Sequence, residues 1–274
     1  MNEPQSPLPL NARDIPVVIF CGGLGTRMKE ETEVIPKPLV RIGERPILWH
    51  IMKIYHAQGF RKFILLAGYK GEQIKNYFYQ YPVHMSDFTV RYVNGVRDVT
   101  FHTTPEEDWE ITVLDTGLNT QTAGRLFRAK NFLEHGPFML TYGDGVSDVD
   151  LSKLLSMHTE HGPAVTVTGV HPPGRFGEIQ TEGAFATSFW EKPQVTQGYI
   201  NGGFMLVEPD IFNYLNGEEL QVFEKDVLTQ VARDRKLAVC PHPGYWQCMD
   251  TVRDMDALNA IWKEGNAPWH LWKK

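Results

Sequence analysis

Val17-Val18-Ile19-Phe20-Cys21 runs without a break into Gly22-Gly23-Leu24-Gly25-Thr26-Arg27. An unbroken apolar run leaves a strand no face for water, so it predicts a strand covered on both sides, as in a parallel sheet sandwiched by helices. The glycines that follow can take positive φ, and they leave backbone N–H groups open to close approach. Such a turn suits a phosphate. It is not a Walker A loop, because the Lys-Ser/Thr pair is missing, and it lacks the third glycine of the dinucleotide fingerprint, which sets aside a Rossmann oxidoreductase.

The same grammar extends outward from this turn. Pro46 precedes Ile47, Ile51, Ile54 and Tyr55, spaced along one helical face that Gly59 can end. Residues 63–67 read as a second buried strand and 71–80 as a helix. A helix near 124–133, a strand at 138–142, a helix near 150–160 and a strand at 164–170 repeat the pattern, which is that of a parallel sheet with crossover helices. Residues 88–93 and 111–114 read as smaller antiparallel or edge strands. The stretch 174–207 is glycine-rich and strand-like, 208–235 reads as helical, and 251–264 as an amphipathic helix bearing Val252, Met255, Leu258, Ile261 and Trp262. The expected fold class is α/β: a Rossmann-like, mainly parallel sheet flanked by helices, with small antiparallel insertions and a C-terminal helical appendage. Residues 1–14 form a polar N-terminal extension, and 15–274 a single domain whose appendage begins near 208.

Composition narrows the function. With 274 residues, of which 42% are hydrophobic and 22% charged, the chain can bury a full core. The net charge of −6 argues against a nucleic-acid groove, which carries a basic field. No apolar run approaches the roughly 20 residues that span a bilayer, and residues 1–14 lack an apolar signal core, so no membrane partner is expected. Cys21, Cys240 and Cys248 are too few and too irregular for a disulfide framework and suit a reducing, cytoplasmic compartment.

Downstream of the glycine turn, Pro36-Lys37-Pro38 sets one lysine between two prolines that fix φ and exclude helix, so its ammonium is expected to project from a stiff extended segment. Arg27 and Lys37 together offer two cations to an anionic ligand. The ordered blocks GGLGTR (22–27), PKPLV (36–40), IGERPILWHI (42–51), HMSDFTV (84–90), LDTGLNTQTAGRL (114–126), TYGDGVSDVDL (141–151), PPGRFGEI (172–179), FWEKP (189–193), INGGF (200–204) and HPGYWQCMDTVRD (242–254) cover nearly the whole chain. This pattern resembles the sugar-1-phosphate nucleotidylyltransferases, and among them those that use CTP and glucose 1-phosphate.

The resemblance implies transfer of CMP from CTP to α-D-glucose 1-phosphate, giving CDP-glucose and pyrophosphate with the help of Mg2+. The same chemistry with UTP, dTTP or another sugar 1-phosphate stays open, because a few contacts at the base edge set that choice. By resemblance, Phe20, Cys21, Gly22, Gly23, Leu24, Gly25, Thr26, Arg27, Lys37, Thr120 and Arg125 bind nucleotide, with Arg27 and Lys37 also catalytic. Glu191, Lys192, Asn201 and Gly202 bind the sugar phosphate. Asp144 and Asp250 hold the metal, although read alone Asp144 is a turn residue and Asp250 a helix N-cap. The family also implies a homo-oligomer, with six copies expected. Cys21, Ala123 and Cys248 depart from the family's alanine, glycine and proline, without removing a charged group.

Other features are not promoted. Cys240, His242 and Cys248 have no zinc-site spacing. His158 and His161 read as a solvated helix face, and Trp49, Trp262, Trp269 and Trp272 as residues that bury area in core or subunit contacts.

Overall fold

A seven-stranded sheet carries the site. Its strands are β1 (Val17–Cys21), β2 (Lys62–Ala67), β3 (Glu110–Asp115), β4 (Phe138–Tyr142), β5 (Val165–Val170), β6 (Ile200–Val207) and β7 (Leu237–His242), in the spatial order β3-β2-β1-β4-β6-β5-β7. The structure is a computed structural model that describes residues 10–171, 178–182, 185–190 and 198–273. All neighbours pair in parallel except β6, which runs antiparallel to both β4 and β5. The chain moves outward from β1 through β2 to β3 and then returns to place β4 on the other side of β1. That reversal opens a crevice at the carboxyl ends of β1 and β4, where open α/β sheets bind ligands.

The opening run explains itself in this frame. Val17, Ile19 and Cys21 enter one hydrophobic core, while Val18 and Phe20 enter the other on the opposite face, so no residue of β1 can be polar. Six helices matter to the packing: α1 (Ile47–Ala57), α2 (Gly71–Tyr79), α3 (Thr122–Arg128), α4 (Leu151–His161), α5 (Leu228–Arg233) and α6 (Val252–Lys263). Helix α1 is buried from Ile47 through Tyr55. Fully buried Trp269 belongs to the same core as α1, and its indole Nε1–H donates to His50 Nδ1 at 3.4 Å. Among the described residues, no helix is long and apolar enough to cross a membrane.

Residues 88–93 and 111–114 are antiparallel and edge strands as expected, and several other local expectations change. Residues 111–114 lie in β3, an edge strand that pairs in parallel with β2, and 88–93 pairs with Val96–Phe101 as an exposed hairpin. The stretch 208–235 is not one helix. A 3-10 turn over Pro209–Tyr214 ends before Gly217, whose φ of +78° a helix cannot continue, and a π turn over Phe223–Val227 leads into α5. The helix expected near 124–133 divides at Ala129 into α3 and a short turn over Lys130–Leu133. His158 is buried rather than solvated, with its ring nitrogens 2.8 Å from Thr166 Oγ1 and 3.1 Å from Glu208 Oε1. Beyond 208 the chain supplies β7 to the central sheet and Trp269 to the core.

Candidate active site at the carboxyl ends of β1 and β4

A cleft of about 670 Å³ opens where β1 and β4 end. The glycine turn forms one wall. Gly25 has φ +64°, and a Cβ there would sit 2.6 Å from Thr32 Cγ2, so this position requires glycine for both conformation and space. The turn then enters a 3-10 segment, Thr26–Met28, that sets Arg27 on the rim with 74% of its side chain exposed.

Lys37 does not lie on an extended segment. Pro36 is extended, but Lys37–Leu39 is a 3-10 turn, closed by Leu39 N–H donating to Pro36 O at 2.8 Å and Val40 N–H donating to Lys37 O at 3.0 Å. Pro38 fits there because a residue in the first turn has no intrahelical acceptor for an N–H. The turn sends the ammonium inward, and only 14% of the Lys37 side chain is exposed.

Two carboxylates meet that ammonium. Lys37 Nζ donates to Asp144 Oδ2 and to Asp250 Oδ1, each at 2.7 Å, and Arg27 Nη1 donates to Asp250 Oδ2 at 2.9 Å. A small antiparallel ribbon joins the two acids: Gly145–Ser147 pairs with Trp246–Cys248, Cys248 lies opposite Gly145, and Met249 N–H donates to Asp144 O at 2.8 Å. Asp250 is not the helix cap. Thr251 caps α6, its hydroxyl accepting from Asp254 N while Asp254 Oδ2 accepts from Thr251 N, so the Asp250 carboxylate is left to face the cleft.

The electrostatics follow from this arrangement. Burial works against the Lys37 ammonium, yet Asp144 and Asp250 outweigh it and hold its pKa above the ordinary lysine value. Burial likewise opposes ionisation of Asp250, and Lys37 with Arg27 overcomes it, keeping that carboxyl below its usual range. The thiols are driven the other way. Burial and then Asp144 push Cys21 up, and burial with Asp250 and Asp144 pushes Cys248 up to about 12, so neither is a thiolate nucleophile at neutral pH.

Phe20 through Arg27, Lys37, Thr120, Arg125, Asp144 and Asp250 all border this one cleft. Thr120 Oγ1 donates to Glu219 Oε1 at 3.0 Å and accepts from Arg128 Nη1 at 2.9 Å, so protein partners already engage its hydroxyl. Asn201, at the start of β6, reaches the cleft through Tyr142: its Nδ2 donates to Tyr142 OH at 3.2 Å. The Gly202 carbonyl accepts from Trp246 Nε1 at 2.7 Å. Glu191 and Lys192 lie outside the described residues. Two cleft residues had no signal in the sequence. Leu118 and Leu220 are large, exposed and apolar, and with Leu24, which the resemblance had named, they border the cleft. An exposed leucine is ordinary singly, and only the fold shows that these converge.

A cleft at a topological switch point, with a glycine turn, two cations and two converging acids, defines a nucleotide-handling α/β enzyme. Residues 16–263 match the Nucleotidyl transferase family, and the chain belongs to it. It is similar to the glucose-1-phosphate cytidylyltransferase of Salmonella typhi, with 42% identity over 257 residues, 93% of this chain and 99% of that protein. It is also similar to the probable glucose-1-phosphate cytidylyltransferase of Bacillus subtilis, at 44% over 255 residues with the same coverage of each chain. Among solved structures, HddC from Yersinia pseudotuberculosis complexed with GMP-PN superposes with a TM-score of 0.64 at 22% identity, covering 90% of this chain and 99% of that one. UDP-glucose pyrophosphorylase complexed with UDP-glucose does so at 0.62 and 15%, covering 91% and 99%. These two share the fold.

Proposed function

We propose that this chain transfers CMP from CTP to α-D-glucose 1-phosphate, releasing pyrophosphate and CDP-glucose. Identity of 42% and 44% to glucose-1-phosphate cytidylyltransferases, over 93% of the chain in each case, carries the choice of substrates. The reaction brings together two anions and expels a third, so the main demand on the protein is positioned positive charge. Arg27, exposed on the rim, draws on the β- and γ-phosphates as they leave. Lys37, deeper in the cleft, bridges the transferring phosphorus and the incoming phosphate oxygen. Lys192 holds the sugar phosphate, Glu191 faces sugar hydroxyls, and Asn201 and Gly202 line the sugar side. In-line attack needs no covalent enzyme intermediate, in keeping with the raised pKa values of both nearby thiols.

Asp144 and Asp250 suit a hard divalent cation, since each turns a carboxylate oxygen toward the point now held by the Lys37 ammonium. Among the described residues no group of three or more His, Cys, Asp or Glu could hold a metal. A cation held by Asp144 and Asp250 would take its remaining ligands from water and phosphate oxygens, as Mg2+ commonly does. Bound there, it would neutralise charge on the phosphates.

The reading extends to a cytoplasmic enzyme that assembles as a homo-oligomer of six copies. The hairpin over 88–101, with Tyr92, Val93 and Val96 exposed, offers apolar area for such contacts, and light scattering counts the copies. The activity itself is tested by incubating the protein with CTP, glucose 1-phosphate and Mg2+ and following pyrophosphate. A panel of triphosphates and sugar phosphates fixes both selectivities, and no release with any pair overturns the reading.

A further inference from the structure

The ribbon that brings Asp144 and Asp250 to the cleft is three residue pairs long, with Trp246 opposite Ser147, Gln247 opposite Val146 and Cys248 opposite Gly145. Asp144 comes just before Gly145 and Asp250 two residues after Cys248, so both acids leave from the same end. Carboxylates brought to one point repel each other, and a slip of one residue in the pairing would turn every side chain of a strand to its other face. Three pairs hold that register weakly by themselves, and the opposite end of the ribbon supplies the fastening.

That end is gripped by side chains. Asp148 Oδ1 accepts from Tyr245 N–H at 2.7 Å and lies 2.9 Å from His242 Nε2. Ser147, wholly buried, donates its hydroxyl to Tyr245 O at 2.7 Å and accepts from Val149 N–H at 3.2 Å. Both backbone groups of Tyr245, the residue before the second strand of the ribbon, are thus held from the exit of the first. His242 ends β7, and its Nε2 also faces Ser147 Oγ at 3.2 Å and Tyr245 O at 3.3 Å. With oxygens on every side and the Ser147 hydrogen already given to Tyr245 O, that nitrogen carries a proton and donates. Gly244 makes room for the carboxylate, since a Cβ there would sit 2.4 Å from Asp148 Oδ1. Asp148, His242 and Gly244 all stand outside the cleft lining.

We infer that Asp148 is a positioning residue for the two acids: with His242 it fixes the turn at Tyr245, and through the register of the ribbon it sets where Asp250 stands relative to Asp144. The inference rests on the reading of those acids as the cation site. Asp148→Ala removes the acceptor shared by Tyr245 and His242, whereas Asp148→Asn keeps an oxygen that can accept from both. Gly244→Ala is an independent variant, because its Cβ displaces the carboxylate without deleting a polar group.

Two titrations of folded protein, checked by circular dichroism, test this: Mn2+ with CTP present, followed by electron paramagnetic resonance, and CTP in EDTA, followed by calorimetry. Asp148→Ala and Gly244→Ala are expected to weaken Mn2+ binding about tenfold, the scale of losing a group that orients a metal ligand. Metal-free CTP affinity is expected to stay within about twofold of wild type, and Asp148→Asn to bring Mn2+ affinity back to within about threefold, since the acceptor is kept. A folded Asp148→Ala with a lowered melting temperature and wild-type Mn2+ affinity has lost stability alone, and it overturns the proposal. Equal losses of Mn2+ and metal-free CTP affinity overturn it too, because the network then supports the cleft as a whole. If Asp148→Ala does not fold, Gly244→Ala decides on the same outcomes. A wild-type protein that binds CTP but not Mn2+ refutes the cation reading itself, a result distinct from wild-type Mn2+ binding that the variants retain.

Discussion

Lys37 Nζ lies 2.7 Å from Asp250 Oδ1 across 213 residues of chain. The same ammonium lies 2.7 Å from Asp144 Oδ2, so one cation joins the end of β4 to the approach to α6. Lys37→Met removes this charge and leaves two acids facing each other at the cleft. A fall of at least about 100-fold in kcat/KM is expected, on the scale of losing one preorganised charge at a reacting phosphate. Steady-state pyrophosphate release measures it. A variant keeping more than a tenth of wild-type activity shows that the ammonium does not reach the reacting groups.

The same contacts set a pH window for stability. Asp250 has a depressed pKa in the fold, so its contribution is present above the unfolded value of about 3.9 and is lost as pH falls through the lower folded value. Lys37 has a raised pKa, so its contribution is present below about 10.4 and is lost as pH rises through the higher folded value. Asp250→Asn should therefore lower the melting temperature most between about pH 5 and 10. The two melting curves should converge in strong acid, and a difference that is constant down to pH 2 argues that the pair contributes nothing.

Asp144→Asn tests the metal reading separately. The amide keeps the size of the side chain but loses the charge that a divalent cation requires. Turnover is expected to drop by roughly 100-fold or more, and Mn2+ binding followed by electron paramagnetic resonance in the presence of CTP should weaken in parallel. Wild-type turnover at saturating Mg2+ removes Asp144 from the metal site.

How much of this was legible from residues alone depended on how local the cause was. The unbroken run of β1 and the glycines after it state their own environment, because β1 has no water-facing position and a side chain would not fit at Gly22 or Gly25. Asp250 was ambiguous for an equally local reason. Any acid just before an amphipathic helix reads as its cap, and only the Thr251 and Asp254 capping box shows that the role was already filled. The Lys37 turn was misread because prolines that exclude a helix interior are tolerated in its first turn. Leu118 and Leu220 on the cleft rim depend on strand order, a non-local fact that no spacing along the chain encodes.

His50 extends the same logic to the far side of α1. It is wholly buried against Trp49, Trp262, Trp269 and Trp272, and burial lowers its pKa to about 4. The Nε2–H donates to Ile42 O at 2.9 Å, leaving Nδ1 to accept from Trp269. The unfolded chain binds this proton near about pH 6.5, so stability falls as pH drops from there toward 4, by up to about 3 kcal/mol. Urea midpoints at pH 4.5 and 7.5 should differ more for wild type than for His50→Gln, and equal differences in the two proteins exclude His50 as the cause.

Glu224 offers a test of the sugar side proposed for the cleft. Its Oε1 accepts the Tyr142 hydroxyl at 2.5 Å and its Oε2 the Thr122 hydroxyl at 2.8 Å, while Tyr142 OH accepts from Asn201 Nδ2. Burial, with Glu224 beside it, raises the Tyr142 pKa, so the phenol stays protonated and the chain has a fixed direction from Asn201 through Tyr142 to Glu224. Glu224→Gln replaces one acceptor by a donor. When the new amide nitrogen faces Tyr142, it donates to the phenol oxygen that Asn201 now uses. Asn201 then loses its acceptor and keeps only the contact from Gly203 N–H to its Oδ1 at 2.9 Å. The expected result is a rise of roughly 3- to 10-fold in KM for the sugar phosphate, about the cost of one hydrogen bond, with KM for CTP within about twofold of wild type. An equal rise in both constants would mean that Glu224 supports the cleft as a whole and that Asn201 is not the group it serves.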